Sequence, residues 1–190
     1  MNVMEEKLVQ LYNECIVELN SIGISIKECG RIDISIAKRN AKRYGCCKQE
    51  EPDKKTRYKE KGKIKYYKFN VHHIEISKWV MQLNDKIIKN TIMHELIHCF
   101  PYCNNHGQVF KEYSKVINQK LGYDISRVGN REEDYKNSNV DYKEELIHYN
   151  YKIVCMNCGY VYYRQRCKKY MVKKYRCGIC KGKLKIIEEN

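Results

Sequence analysis

Two histidines four residues apart, with a glutamate directly after the first, stand at His94-Glu95-Leu96-Ile97-His98. On an α-helix of about 3.6 residues per turn both imidazoles share one face and can reach one Zn²⁺. Glu95 projects from the same end, where it can act as general base on a zinc-activated water. In a chain of 190 residues with six histidines, chance would supply this pentapeptide only about 0.02 times. The flanking residues call for the same helix. Asn84 or Asp85 can cap it, Ile87, Ile88, Ile92, Leu96 and Phe100 recur on one face, and Pro101 stops it near Phe100.

The rest of the first two thirds reads as mixed helix and strand. Leu8, Leu11, Tyr12, Cys15, Ile16 and Leu19 predict an amphipathic helix over 4–20. Ile32, Ile34 and Ile36 alternate with Asp33, Ser35 and Ala37, and Ile74 and Ile76 alternate with His73, Glu75 and Ser77, so both stretches read as strands. The charged run 50–62 reads as a loop or hairpin tip. A third helix is expected over 107–121, with Val109, Phe110, Tyr113, Val116, Ile117 and Leu121 on one side and Gly122 as its cap. From Arg127 to about 147 the chain is polar without apolar periodicity, which predicts a linker. His72 and His73 alternate faces, so at most one points inward.

A catalytic zinc needs a third protein ligand and an open position. The metzincin pattern requires glycine and histidine where this sequence has Pro101 and Asn104, so that class is excluded. His106 is the favoured third ligand, brought back by a turn through Tyr102–Asn105. Cys99, Cys103 and Glu112 are the other candidates, although Cys99 would point about 100° round the helix from His98.

A second metal signal lies near the C-terminus. Cys155-x-x-Cys158 and Cys177-x-x-Cys180 are separated by eighteen residues, the spacing of a four-thiolate zinc site. Such a closed set leaves no position for substrate, so this zinc is structural and stands in for a core that some forty residues cannot build. Cys167 falls between the pairs as a bystander, and His148 begins the module. The remaining cysteines, Cys15, Cys29, Cys46, Cys47, Cys99 and Cys103, read as thiols without a role.

The net charge of +14 is concentrated in this module. Between Lys152 and Lys185 there is no acidic residue, while Arg164, Arg166, Lys168, Lys169, Lys173 and Lys174 interleave with Tyr151, Tyr160, Tyr162, Tyr163, Tyr170 and Tyr175. Basic side chains for phosphates and aromatic faces for bases predict binding to DNA, single strands especially. The odd count of eleven cysteines, a start without a secretory pattern and the lack of a long apolar run predict a cytoplasmic, reducing environment, with nucleoid association and no membrane partner.

The stretch Asn90–His98, followed by His106-Gly107-x-x-Phe110, resembles the SprT-like metallopeptidase family, which includes Spartan. In that family a third histidine follows the HExxH helix in an H-G-x-x-F context. Arg39–Cys47, with Gly45-Cys46, resembles the family's strand-turn-Gly-Cys segment, and the resemblance runs in order over residues 5–125. The sequence has Gln108-Val109 where the family often has Pro and Glu. Zinc-ribbon tails accompany many such proteins. The resemblance implies a zincin-like peptidase acting on proteins bound or crosslinked to DNA, hence a part in DNA–protein crosslink repair.

Together these readings predict an α+β chain. A peptidase domain spans 1–126, a charged linker 127–147 and a zinc ribbon 148–190, with one catalytic and one structural Zn²⁺. Two other functions fit the same residues. One is a nucleic-acid-binding or regulatory protein whose HExxH site does not turn over, and the other is a peptidase that cuts one protein partner recognised by the ribbon.

Overall fold

The computed structural model describes residues 3–38, 42–126, 129–140, 150–164, 166–168 and 170–188. Arg39, His148 and Lys169 lie outside them. The chain divides into two compact units, 1–142 and 143–190, and mixes helix with sheet throughout.

In the first unit, α1 (Val3–Ser21) buries Leu8, Leu11, Cys15 and Leu19. Three strands, β1 (Arg31–Ile36), β2 (Gly45–Pro52) and β5 (Phe69–Ile76), form a sheet in the order β1-β5-β2. β1 runs parallel to the central β5 and β2 runs antiparallel to it. Alternation on β5 sends His72, Ile74 and Ile76 inward and His73 and Glu75 outward. The charged stretch before it forms a hairpin of β3 (Arg57–Glu60) and β4 (Lys63–Tyr66).

Helix α2 (Asp85–Ile97) is capped by Asn84, whose side chain accepts from the Ile87 N–H. It packs on α1, β2 and β5 with Ile88, Ile92 and Leu96 fully buried. It ends earlier than the periodicity predicts. The amides of Cys99 and Phe100 reach back only three residues, to Leu96 and Ile97, at 3.0 and 3.1 Å. Pro101 disfavours helical backbone at Phe100, and the last turn tightens. Helix α3 (Gln108–Leu121) buries Phe110, Ser114 and Ile117, whereas Val116, expected on the inner side, is exposed.

The expected linker is in part an element of the first unit. Residues Arg131–Asn137 form α4, capped by Asn130. Tyr135 is buried and stacks on Trp79 with ring centroids 5.8 Å apart. The Arg131 guanidinium lies 4.3 Å from the centre of the Trp79 ring, and Tyr44 meets that ring edge-on at 4.6 Å. The Ser138 hydroxyl accepts from the Asn84 N–H at 3.0 Å, and the Tyr44 hydroxyl donates to Asp134 at 2.5 Å. One aromatic anchor with polar latches leaves no periodic apolar signal, which is why composition reads as linker. Tyr135→Ala is expected to cost about 3 kcal/mol, visible as a lower thermal midpoint of the first unit.

The second unit is a three-stranded antiparallel sheet in the order β7-β6-β8. Its strands are β6 (Tyr151–Cys155), β7 (Val161–Arg164) and β8 (Leu184–Glu188), and a single turn, α5 (Met171–Lys174), precedes β8. Among the described residues no helix is long and apolar enough to cross a membrane.

Candidate metal centres

Helix α2 sets His94 and His98 one turn apart, and the turn after it returns His106 to the same point. Tyr102 takes a left-handed backbone with φ of 64°. Its N–H donates to the Tyr67 carbonyl at 2.9 Å, its ring stacks on Tyr67 at 4.1 Å, and the Asn104 amide donates to the Tyr66 carbonyl at 2.8 Å. The connection is thus pinned to the end of β4, and α3 must start with His106 beside α2. One ligand nitrogen from each of His94, His98 and His106 then lies within 4.8 Å of the others. Cys99, Cys103 and Glu112 are not part of this group.

The donor set suits zinc. His98 Nδ1 meets the Cys103 carbonyl at 2.6 Å. A carbonyl only accepts, so Nδ1 carries the proton and Nε2 keeps its lone pair for a metal. His94 also has a hydrogen bond to the backbone of Ser126. Burial, followed by the neighbouring imidazoles His98 and His106, pushes His94 down to about 4, so it is neutral at physiological pH, as a metal ligand must be. The Nε2 atoms of His94 and His106 approach to 2.9 Å.

Glu95 is the buried acid of the site, 6% exposed. Burial pushes its carboxyl up to about 7, against the smaller opposing pulls of the Arg43 guanidinium and a hydrogen bond from the Cys47 backbone. Its seat is the start of β2, where Gly45 packs so closely that an added Cβ would lie 2.8 Å from the Glu95 side chain. The site opens into a cleft of about 700 Å³. Arg43, Tyr44 and Gly45 line one part, and Asp124, Ser126 and Asp134 line another. The sequence assigned none of these walls to the site, although Arg43, Tyr44 and Gly45 fall within the family-like segment Arg39–Cys47.

The sequence model of the SprT-like family matches residues 6–134. The chain belongs to the SprT-like family. Its relatives include the Protein SprT-like of Lactococcus lactis subsp. lactis (strain IL1403), 34% identical over 114 residues, which is 59% of this chain and 65% of that protein. The Protein SprT-like of Oceanobacillus iheyensis is 30% identical over 58% of this chain and 65% of its own length. That of Staphylococcus carnosus is 32% identical over 62% and 70%. The chain thus spans about two thirds of the length of the relatives it matches. The SprT-like match reaches into α4 and stops short of the four-cysteine unit.

In that unit one ligand atom from each of Cys155, Cys158, Cys177 and Cys180 lies within 4.8 Å of the others, and Cys167 stays outside the group. The Sγ atoms of Cys155 and Cys180 are 3.4 Å apart, and those of Cys158 and Cys177 are 3.7 Å apart. Gly182 leaves room for them, since a Cβ there would sit about 3 Å from two of the sulfurs. Four converging thiols are a donor set consistent with zinc. Tyr162, to which the sequence reading assigned no metal role, supports the cage from outside. The Gly178 N–H donates to the Tyr162 hydroxyl at 3.0 Å, so the hydroxyl can give its own proton to Cys177 Sγ at 3.2 Å. This bond is the main cause that holds the Cys177 thiol down to about 6. Tyr162→Phe is expected to weaken zinc retention about 10-fold, measured against a chromophoric chelator.

Arg164, Arg166, Lys168, Lys173 and Lys174 are all exposed, as are Tyr160, Tyr163, Tyr170 and Tyr175. The guanidinium groups of Arg164 and Arg176 donate to nearby backbone carbonyls.

Proposed function

We propose that this SprT-like protein is a zinc-dependent endopeptidase of zincin-like fold, acting on DNA-associated or DNA-crosslinked proteins. One observation carries the reading: three imidazoles converge on one point, and the first of them, His94, lines an open cleft together with the buried carboxyl of Glu95. His94, His98 and His106 would hold Zn²⁺, which when bound supplies Lewis acidity toward the scissile carbonyl and a water molecule. Glu95 accepts the proton of that water and later delivers it to the leaving amine. Its burial favours the protonated form, so the carboxyl can keep the proton between the two transfers. Cys47 N–H and the bare Gly45 backbone orient it.

The four-cysteine unit is read as a zinc ribbon that holds the peptidase on DNA. Its exposed arginines, lysines and tyrosines support that role, with phosphates on the cations and unpaired bases on the rings. The abundance of thiols fits action in the cytoplasm. The test is cleavage of a DNA-bound protein by wild type and Glu95→Gln, with and without single-stranded DNA. Cleavage that requires both DNA and Glu95 is expected. DNA binding that is retained and falls steeply with salt, but without turnover in either protein, would turn the reading to a non-catalytic DNA-binding protein.

A further inference from the structure

Behind Glu95 lies a pair of thiols that the proposed mechanism does not use. Cys47 projects from β2 on the face shared with its partner Ile74, toward the core, whereas Cys46 faces the other side with Glu75. Cys99 follows His98 in the tightened turn that ends α2. Their Sγ atoms are 3.7 Å apart, although 52 residues separate them in sequence. The two backbones are already tied beside the pair, because the Gln49 amide donates to the His98 carbonyl at 2.7 Å. Cys47 is half-buried and Cys99 is 3% exposed, so Cys47 is the less sheltered residue of the pair.

We propose that Cys47 and Cys99 are a peroxide-reactive dithiol that closes to an intramolecular disulfide. The Cys47 sulfur attacks hydrogen peroxide, and the O–O bond breaks. One oxygen leaves as water and the other stays on Cys47 as a sulfenic acid. The Cys99 sulfur then attacks the Cys47 sulfur, and the S–O bond breaks. The departing hydroxide takes the Cys99 proton as a second water, and the S–S bond forms. The two thiols lose two electrons and the peroxide gains them, so no other co-reactant is needed.

The site sits where such a bond would be felt. The Cys47 N–H holds the Glu95 carboxylate, and Cys99 Sγ donates to the Glu95 carbonyl at 3.6 Å. A disulfide between them ties the strand that orients Glu95 to the residue that follows His98. Its formation does not depend on whether the protein cleaves peptides.

The experiment treats the full-length, zinc-loaded protein with hydrogen peroxide and maps its peptides without reduction. The expected product is a peptide containing Cys47 linked to one containing Cys99, lighter by two hydrogens and separated again by a thiol reductant. In Cys99→Ser, Cys47 is expected to stop at the sulfenic acid, captured by a cyclic dione. In Cys47→Ser, Cys99 is expected to remain a free thiol under the same treatment. The proposal is overturned if Cys47 links instead to Cys46, Cys29 or Cys103. It is equally overturned if both thiols stay free while other cysteines of the chain are oxidised.

Discussion

Glu95→Gln is expected to lower turnover of a protein substrate by about 10²–10⁴-fold, while both metal sites and the fold persist. Gln keeps the size of the side chain and loses only the capacity to take up a proton, so a large fall isolates proton transfer from packing. Gly45→Ala tests the same group from the opposite side. The new Cβ would stand 2.8 Å from Glu95 Cγ and Oε1, and the carboxylate must move. A displacement of about 1 Å costs on the order of 10²-fold in rate, so the variant should lose kcat with little change in KM. Zinc content equal to that of wild type in both variants completes the result. Normal turnover in Glu95→Gln would remove this carboxylate from the mechanism.

The helix that carries this carboxylate was legible because its constraint is local. A four-residue histidine spacing, a cap at Asn84 and an apolar face each specify one element from its own residues. Strand alternation allowed at most one of His72 and His73 to point inward, and the structure buries His72, 1% exposed. What was not legible depends on contacts between distant segments. α4 is held by one buried tyrosine and by bonds to Tyr44 and Asn84, none of which leaves a period in the sequence. The same holds for the seat of Glu95, where Gly45 and the Cys47 amide come from a strand about fifty residues upstream. Tyr162 read as one more ring of a basic, aromatic surface, and only the fold turns its hydroxyl toward Cys177. The thiols of Cys47 and Cys99 likewise looked idle until β2 was laid beside the end of α2.

Cys177→Ser is expected to unfold the second unit while the first keeps its own melting transition. Among the described residues of the second unit only Ile153, Cys155 and Cys177 are buried, and two of these are thiols of the cage. A single buried isoleucine contributes about 1.5–3 kcal/mol, far too little to order some forty residues against their conformational entropy. A structural zinc on four thiolates contributes an apparent 10–16 kcal/mol or so in small zinc-finger peptides, several times what that one side chain supplies. Removing one thiolate should therefore act on the whole unit rather than on one strand. Limited proteolysis of the full chain reads this out, with rapid cutting after Lys and Arg between residues 150 and 188 and a protected fragment ending near residue 142. Zinc content should fall by one per chain, and DNA affinity should fall with it, since the exposed cations and rings would lose their common scaffold. Cys167→Ser lies between the two cysteine pairs but outside the cage and should change neither quantity. A Cys177→Ser unit that stays protease-resistant would mean that its three strands hold together without the metal, and the zinc would then have to be sought in binding rather than in folding.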